Sequence, residues 1–311
     1  MIIFWVIIAL LALFIVLGYG ADLVVFNLKE LGNKLGLKLF FLGMILGMVT
    51  SLPELAVGIN SAIRGIPAIS VGNLLGGVIV LLGLILGASL LLHREVKTDG
   101  EIKSFLPVSL IVILPLVLSL DGKLGIYDGC IMILSYLLLM WFVYRTNRLL
   151  EMPVVEMIDK KTINKEIFYI VVGLALIIFS SSLIVRAAEY LLGIFDVSPL
   201  IVGLLVFSIG TNLPEITVAF KAWRKKSSEL SVSNLIGSAA ANIFVLGTVS
   251  TMVQTNIALD KEFVLLAGTL VVLVTLFGIF YRTGKKFSSF EGAILLAVYC
   301  LFVFLQYFLF F

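Results

Sequence analysis

Two glutamates in a strongly apolar chain stand out as candidates for ion binding. Glu54 ends the run Thr-Ser-Leu-Pro-Glu at residues 50–54, and Glu215 ends the run Thr-Asn-Leu-Pro-Glu at residues 211–215. An ionised carboxylate at the centre of a bilayer costs roughly 2.5–3.5 kcal/mol on insertion scales. A sequence that accepts this cost twice, in matching runs, indicates groups that line a cavity or bind something.

A proline and a threonine accompany each glutamate at fixed distances. Proline removes a backbone donor and disrupts the preceding helical turn. Carbonyls near Thr50 and Thr211 are therefore free to face an ion, as in the broken helices of transporters. Each threonine lies four residues before its glutamate, so the two side chains share one helix face.

A polar stripe follows each motif in the next apolar segment. In the second half its residues are spaced three, four and four apart and share one helix face: Ser231, Asn234, Ser238 and Asn242. The matching positions 161 residues earlier are Ser70, Asn73, Gly77 and Leu81. Only two of the four positions in the first stripe are polar, so we expect the two halves to contribute different chemical groups to the pocket. Asn73 and Asn234 are equally well explained as interhelical hydrogen bonds.

All these groups offer oxygen, which suits a hard cation such as Ca²⁺ or Na⁺ better than zinc or copper. Two glutamates balance the charge of one Ca²⁺. When Ca²⁺ leaves, two close carboxylates repel each other and need Na⁺ ions or protons. Mutually exclusive occupancy of this kind is the thermodynamic basis of exchange. The sequence has one histidine and no CxxC or HExxH motif, so no cofactor is expected.

The elements that carry these residues are expected to be membrane-spanning helices. Hydrophobic residues make up 61% of the 311 positions and charged residues only 13%, which excludes a soluble enzyme and a disordered chain. Long, non-alternating apolar runs exclude a β-barrel. We predict an all-α integral membrane protein with ten transmembrane helices, at residues 2–25, 36–63, 68–92, 104–120, 124–144, 167–192, 198–221, 230–252, 263–281 and 288–310.

The basic residues predict the orientation. Eighteen of the 22 Lys and Arg residues fall in odd-numbered connections and four in even-numbered ones. The protein is expected in the inner or plasma membrane of the cell. Because basic loops favour the cytoplasmic side, both termini are expected outside and the linker 148–166 in the cytoplasm. The lipid bilayer is the expected partner and nucleic acid is not. The oligomeric state is open, with a monomer as one option.

The chain also reads as a duplication, with a first five-helix repeat at 1–147 and a second at 167–311. Both the glutamate motifs and the stripes recur at a shift of 161 residues. Five is an odd number of spans, so the second repeat starts on the opposite side and the repeats are inverted. Inverted repeats are typical of secondary transporters, whose site lies near the midplane.

The paired motifs, each followed by Ser-Val-x-Asn-Leu-x-Gly, resemble the two α-repeats of the calcium/cation antiporter superfamily, with prokaryotic sodium/calcium exchangers closest. The resemblance implies that Glu54 and Glu215 are the central Ca²⁺ ligands and that Thr50 and Thr211 act through backbone oxygen. It adds further ion-site candidates: Ser51, Asn212, Asn73, Asn234, Ser238, Asn242 and the backbone at Gly47 and Ser208. The first and sixth spans would be long tilted helices that slide during transport.

The sequence departs from the sodium/calcium exchanger pattern at several positions. Gly77 and Leu81 stand where Ser and Asn are usual, and Asn212 in place of Ser resembles the proton/calcium exchangers. We therefore expect Ca²⁺ exchange for Na⁺, with H⁺ as the alternative coupling ion.

A passive cation channel and an intramembrane enzyme are further alternatives, although no nucleophile or metal triad supports an enzyme. Asp22 and Glu189, near span ends, are expected to be interfacial or paired.

Overall fold

The chain folds into a bundle of helices that follows the apolar runs. A computed structural model describes residues 2–34, 49–93, 95–97, 102–146, 160–195, 197–217, 219, 228–282 and 286–310. The α-helices are α1 Ile2–Lys34, α2 Leu52–Ile63, α3 Ala68–Ile79, α4 Leu86–His93, α5 Ile102–Leu118, α6 Ile126–Thr146, α7 Lys160–Leu192, α8 Pro199–Val202, α9 Ser208–Thr211, α10 Ser228–Met252, α11 Lys261–Arg282 and α12 Ser289–Phe310.

Two π-helical segments each connect two of these α-helices without a break in the helical backbone. Val80–Ile85 joins α3 to α4, and Gly203–Phe207 joins α8 to α9. A short 3₁₀ turn, Ser119–Asp121, extends α5. Single π-helical turns are frequent at functional sites, and here each lies within a few residues of the polar positions predicted from the sequence.

Six described helices are long and apolar enough to cross a membrane: Ile2–Leu31, Ala68–Leu92, Asn164–Leu192, Leu235–Met252, Lys261–Arg282 and Ser289–Phe308. Four shorter apolar helices accompany them: Leu52–Ile63, Leu106–Asp121, Ile126–Phe142 and Pro199–Thr211. The prediction of a helical membrane protein is thus confirmed. The count of ten spans and the inversion of the repeats stay predictions, and most of the linker, residues 148–159, lies outside the described residues.

Four short β-strands, which the sequence analysis did not predict, form two antiparallel ribbons. β1 (Glu95–Lys97) pairs with β4 (Lys286–Ser288), and β2 (Lys123–Leu124) pairs with β3 (Thr255–Asn256). Strands of two or three residues are too short to show an alternating pattern in the sequence. The first ribbon joins the third and ninth connections between predicted spans, and the second joins the fourth and eighth. Odd-numbered connections are predicted on one side of the membrane and even-numbered ones on the other, so each pairing is compatible with that prediction.

The first and sixth spans form a long pair. α1 and α7 each contain 33 residues, which is about 50 Å of helix against a hydrocarbon core of roughly 30 Å. Such excess length is accommodated by tilting. The two helices pack along each other and approach closely at Gly20 and Gly173, where a Cβ on Gly20 would lie 2.9 Å from the Gly173 carbonyl oxygen.

The apolar interior is divided into two clusters, and the glutamate motifs lie between them. The smaller cluster combines α1 and α7 with Val57 of α2 and Phe207 of the seventh span. The larger cluster is formed by the third to fifth and the eighth to tenth spans with Leu204 and Ala219 of the seventh, and Leu55 and Ile216 pack against it. Residues beside Glu54 and Glu215 therefore contact both the smaller and the larger cluster.

Polar side chains also tie α2 to α7. Asn60 Nδ2 donates to Ser181 Oγ at 3.1 Å. One turn later, Arg64 forms an ion pair with Glu189 at 3.0 Å, so Glu189 is indeed paired.

Among the described residues, the third and seventh spans cross at very short backbone distance. A Cβ on Gly72 would overlap the carbonyl oxygen of Leu200, and one on Gly203 would overlap that of Ile69. We expect Gly72→Ala to destabilise the protein by about 1–3 kcal/mol, because overpacking against backbone forces the helices apart. A lower thermal midpoint in detergent would show this. Gly268→Ala is the control, since nothing lies within 4 Å of its Cβ position; equal midpoints for the two variants would contradict the prediction.

Candidate cation-binding site

The helix is broken at the same point in both glutamate motifs. Ser51, with φ −91° and ψ 12°, separates helical residues 49–50 from α2. Asn212, with φ −85° and ψ 12°, separates α9 from helical residues 213–217. Both conformations lie in the sparsely populated bridge region, and the proline two residues later removes one backbone hydrogen bond from the turn before it. The two motifs thus adopt nearly the same local geometry.

Both glutamates are buried beside these breaks. Glu54 is 2% exposed and Glu215 is 3% exposed. The Oε2 atom of each carboxylate is buried and has no hydrogen-bond partner. The charge of Glu215 acts directly on Glu54, so the carboxylates of the two motifs are neighbours. Buried charges of one sign need a counter-charge, and this pair can obtain it from a bound cation or from protons.

Hydroxyl and amide groups from both halves surround the carboxylates. Thr211 Oγ1 donates to Asn73 Oδ1 at 3.1 Å, and the Thr211 side chain also interacts with the Glu54 carboxylate. Asn73 Nδ2 is buried without a hydrogen-bond partner. Ser238 Oγ donates to Glu215 Oε1 at 3.4 Å. Thr211 therefore links the second motif to the first motif and to the first polar stripe.

Two amide side chains occupy the space beside Gly77. A Cβ at Gly77 would lie 2.7 Å from Asn242 Nδ2 and 3.2 Å from Asn212 Nδ2. Asn212 Nδ2 donates to the Ser208 carbonyl at 2.7 Å, and Asn242 Nδ2 donates to the Leu74 carbonyl at 3.4 Å. Asn212 Oδ1 is buried without a hydrogen-bond partner, which leaves one neutral oxygen available for a cation.

The third and eighth spans offer different groups to the site. Ser238 and Asn242 in the eighth span have as counterparts Gly77 and Leu81 in the third, and Leu81 is fully buried. Glu215 consequently has a hydroxyl partner from its own half, whereas the hydroxyl beside Glu54 comes from Thr211 in the other half.

The remaining predicted residues are placed as follows. Thr50 is half-buried and Ser51 is 2% exposed. Ser208 is buried, and its hydroxyl donates to the carbonyl of Leu204. Gly47 lies outside the described residues. Asn234 belongs to α10, but its side chain is also outside what the structure describes.

Sequence reasoning missed two features of the site. Gly77 was interpreted as a lost ligand, whereas its missing side chain makes room for the amides of Asn212 and Asn242. Asp22 was expected to be interfacial or paired, and its effect on the charge of Glu215 was not foreseen. The available signal for Asp22 was a carboxylate inside the predicted first span, at residues 2–25.

Comparison with known proteins identifies the family. The family model described as sodium/calcium exchanger protein matches residues 5–145 and 165–308, which is nearly the whole chain. The chain belongs to the sodium/calcium exchanger protein family. The resemblance to the calcium/cation antiporter superfamily is thereby confirmed, and the expected membrane transporter class with it.

Three relatives of this sodium/calcium exchanger family member align with 95–97% of its length. The putative antiporter CaxA of Alkalimonas amylolytica is 30% identical over 312 residues, covering 95% of this chain and 96% of CaxA. The solved sodium-calcium exchanger NCX_Mj is 22% identical with a TM-score of 0.68, covering 97% of this chain and 98% of that one. The solved H⁺/Ca²⁺ exchanger CAX is 14% identical with a TM-score of 0.77, covering 96% and 82%. Both structures show a shared fold.

Proposed function

We propose that this protein is a secondary antiporter that exchanges Ca²⁺ for Na⁺ across the cell membrane by alternating access. One observation carries the proposal: Glu54 and Glu215, from matching helix breaks in the two halves, are neighbours and are buried, and each has an oxygen without a hydrogen-bond partner. Such a pair is stable only when neutralised. Ca²⁺ supplies two charges at once, and monovalent cations supply them separately, so the two occupancies exclude each other.

The transport plan we propose is ten spans arranged as two inverted repeats. The matching backbone at Ser51 and Asn212 supports the duplication. The ribbons support the inversion. If the two repeats are exchanged, connection three takes the place of connection eight, and connection nine that of connection four. The ribbon between connections three and nine therefore corresponds to the ribbon between connections eight and four. With the basic residues concentrated in odd connections, the termini lie outside and the linker 148–166 in the cytoplasm.

The proposed ligand set surrounds the two carboxylates. Glu54 and Glu215 hold Ca²⁺, and neutral oxygens complete the coordination. The neutral ligands are the remaining predicted residues: Thr50, Thr211, Ser51, Asn212, Asn73, Asn234, Ser238, Asn242, Gly47 and Ser208. No cofactor or chemical conversion is involved, since the ions themselves are the substrates.

Exchange of Ca²⁺ for H⁺ is the second candidate. Asn212 favours it, because this residue resembles the proton/calcium exchanger motif and its amide nitrogen lies in the space beside Gly77. The close overlap with the fold of CAX is compatible with this reading. A carboxylate pair can take up two protons as readily as two sodium ions when the site is otherwise poor in ligands.

Reconstitution in liposomes separates the candidates. Ca²⁺ uptake is measured with an outward Na⁺ gradient at uniform pH and, separately, with a pH gradient in sodium-free buffer. We expect uptake with the Na⁺ gradient. Uptake driven only by the pH gradient would replace Na⁺ by H⁺ as the coupling ion. Uptake with neither gradient would indicate a channel, and no Ca²⁺ movement under any gradient would reject the proposed function.

The two carboxylates also predict the stoichiometry of exchange. Two monovalent ions replace one Ca²⁺, so the cycle moves no net charge. We expect the final Ca²⁺ gradient to be unchanged when the membrane potential is clamped at 0 or 100 mV. An imbalance of one charge is worth about 2.3 kcal/mol at 100 mV, which would shift the Ca²⁺ ratio about 50-fold. A shift of that size would show that a third monovalent ion is transported.

A further inference from the structure

An open groove lies between α11 and α12, away from the two glutamate motifs. Its volume is about 740 Å³, within the range of roughly 300–1,000 Å³ that is usual for ligand sites. Its lining consists mainly of apolar side chains from residues 259–272 and 298–305. Val264 is 63% exposed and Leu301 is 55% exposed. Because both helices are apolar enough to cross a membrane, the groove faces hydrocarbon.

The packing of the two helices leaves this groove open. At the opposite end of the helix pair, the ring centroid of Phe277 lies 5.2 Å from that of Phe287 and 5.9 Å from that of Tyr281. In the groove, by contrast, nothing lies within 4 Å of the Cβ position of Gly268, which is exposed. Glycine is a poor helix former, and its missing side chain keeps the groove deep.

Two opposite charges lie at one end of the groove, where α11 begins. Asp260 and Lys261 both line it and are exposed. Asp260 Oδ1 accepts a hydrogen bond from Phe263 N at 3.1 Å, which fixes the carboxylate in place. The neighbouring Glu262 instead accepts from Ser198 Oγ at 2.5 Å. Within the part of the chain that the structure describes, neither Asp260 nor Lys261 forms a salt bridge.

The length of the groove matches one leaflet of a bilayer. Val272 lies about 16 Å along α11 from Lys261, and the hydrocarbon core of a bilayer is roughly 30 Å thick. Lys261 therefore lies at the level of the headgroups, and the apolar lining extends to about the middle of the membrane. A further spanning helix would cross both leaflets, whereas an acyl chain has the length and the polarity of this groove.

The charges at the headgroup level select among phospholipids. Lys261 can pair with a phosphate, and the Asp260 carboxylate can accept hydrogen bonds from a primary ammonium group. Asp260 and Glu262 outnumber Lys261, so a headgroup with negative charge alone would be repelled. A trimethylammonium group has no N–H to donate. Phosphoethanolamine carries the phosphate and the primary ammonium together.

We propose that this groove is a binding site for one phospholipid of the ethanolamine class. An acyl chain lies over Gly268 between α11 and α12, the phosphate meets Lys261, and the ammonium meets Asp260. The bound lipid fills the space that the two helices leave between them. The site does not depend on which ions the protein exchanges.

Native mass spectrometry of the purified full-length protein tests the site, by titration with phosphatidylethanolamine or with phosphatidylglycerol of identical chains. We expect the wild type to bind one phosphatidylethanolamine and to prefer it. Gly268→Leu places a side chain in the groove and should lower this affinity at least about 10-fold. Leucine favours a helix over glycine, so the variant should fold. Val271→Phe is the matched control, since Val271 is 41% exposed on the same helix outside the groove.

Two charge variants test the headgroup contacts. Lys261→Gln should weaken binding of phosphatidylethanolamine about 3- to 10-fold. Lys123→Gln is its control, because Lys123 is exposed in the fourth connection, on the same predicted side of the membrane, and should leave binding unchanged. Asp260→Asn keeps a residue that can cap α11 and should reduce the preference for phosphatidylethanolamine over phosphatidylglycerol.

Thermal midpoints provide a second measurement of the same site. Added phosphatidylethanolamine should raise the midpoint of the wild type and leave that of Gly268→Leu unchanged, since a ligand stabilises only the protein that binds it. Equal lipid affinity of these two proteins, or an equal loss in Val271→Phe, would overturn the proposal. Equal binding of both lipids by the wild type would overturn the headgroup assignment. A wild-type dimer that Gly268→Leu dissociates would show that a second copy of the chain occupies the groove.

Discussion

Glu54→Gln and Glu215→Gln should each lower Ca²⁺ exchange at least 100-fold. Each variant keeps the shape of the side chain and removes one of the two charges that face the bound ion. Truncating one partner of a buried charge pair costs roughly 2–5 kcal/mol, and 3 kcal/mol corresponds to about two orders of magnitude in affinity. Initial Ca²⁺ uptake in liposomes measures the exchange, and calorimetric titration of the purified protein with Ca²⁺ measures the binding.

The same variants should fold well, which separates a binding defect from a folding defect. Without bound Ca²⁺ the two carboxylates repel, so a neutral glutamine is expected to leave the thermal midpoint unchanged or to raise it. Glu291→Gln is the control. Glu291 accepts a hydrogen bond from Ser288 N at 2.6 Å at the start of α12, so its loss should lower stability by about 1 kcal/mol and leave exchange intact. Normal exchange by either central variant would refute the ligand assignment.

Gly77→Ala should weaken ion binding about 10- to 100-fold although it adds only one methyl group. The new Cβ would lie 2.7 Å from Asn242 Nδ2 and 3.2 Å from Asn212 Nδ2. Both atoms are the ends of movable side chains, so the amides shift and the protein stays folded. Displacements near 1 Å in a positioned site can cost about 100-fold. Ca²⁺ and Na⁺ titrations of the purified variant measure the loss for each ion.

Gly237→Ala provides the matched control for Gly77→Ala in the eighth span. Nothing lies within 4 Å of its Cβ position, and alanine favours a helix over glycine by about 1 kcal/mol. We expect wild-type ion binding and equal or higher stability. If both alanine variants bind ions equally well, Gly77 has no role in placing the amides.

The central part of the site could be predicted because it depends on local sequence. Glu54 and Glu215 are expensive in a membrane, and their repeated Pro-Glu context is visible within five residues. The matching backbone at Ser51 and Asn212 follows from the same short motif. The apolar runs likewise predicted the helices, since a bilayer imposes a length on each of them.

The missed parts depend on contacts between distant segments. The role of Gly77 appears only when the third span is placed against Asn212 and Asn242, which are more than 130 residues away in the sequence. Asp22, near a span end, is expected from the sequence to be interfacial or paired, and its effect on Glu215 becomes visible only in the folded structure. The ribbons involve two or three residues per strand, which is too little for a pattern to indicate pairing.

The two β-ribbons hold one part of the molecule and leave another part unclamped. They join the ends of spans that contribute to the larger core cluster. Among the described residues α1 and α7 join neither ribbon and pack mainly on each other. If α1 and α7 moved together relative to the spans of the larger cluster, the backbone hydrogen bonds of both ribbons would stay intact. The surfaces that slide past each other would be mostly apolar. Within the part of the chain that the structure describes, the polar side-chain links from α7 to α2 are Asn60 to Ser181 and Arg64 to Glu189, and a sliding movement of the pair would have to break or replace them.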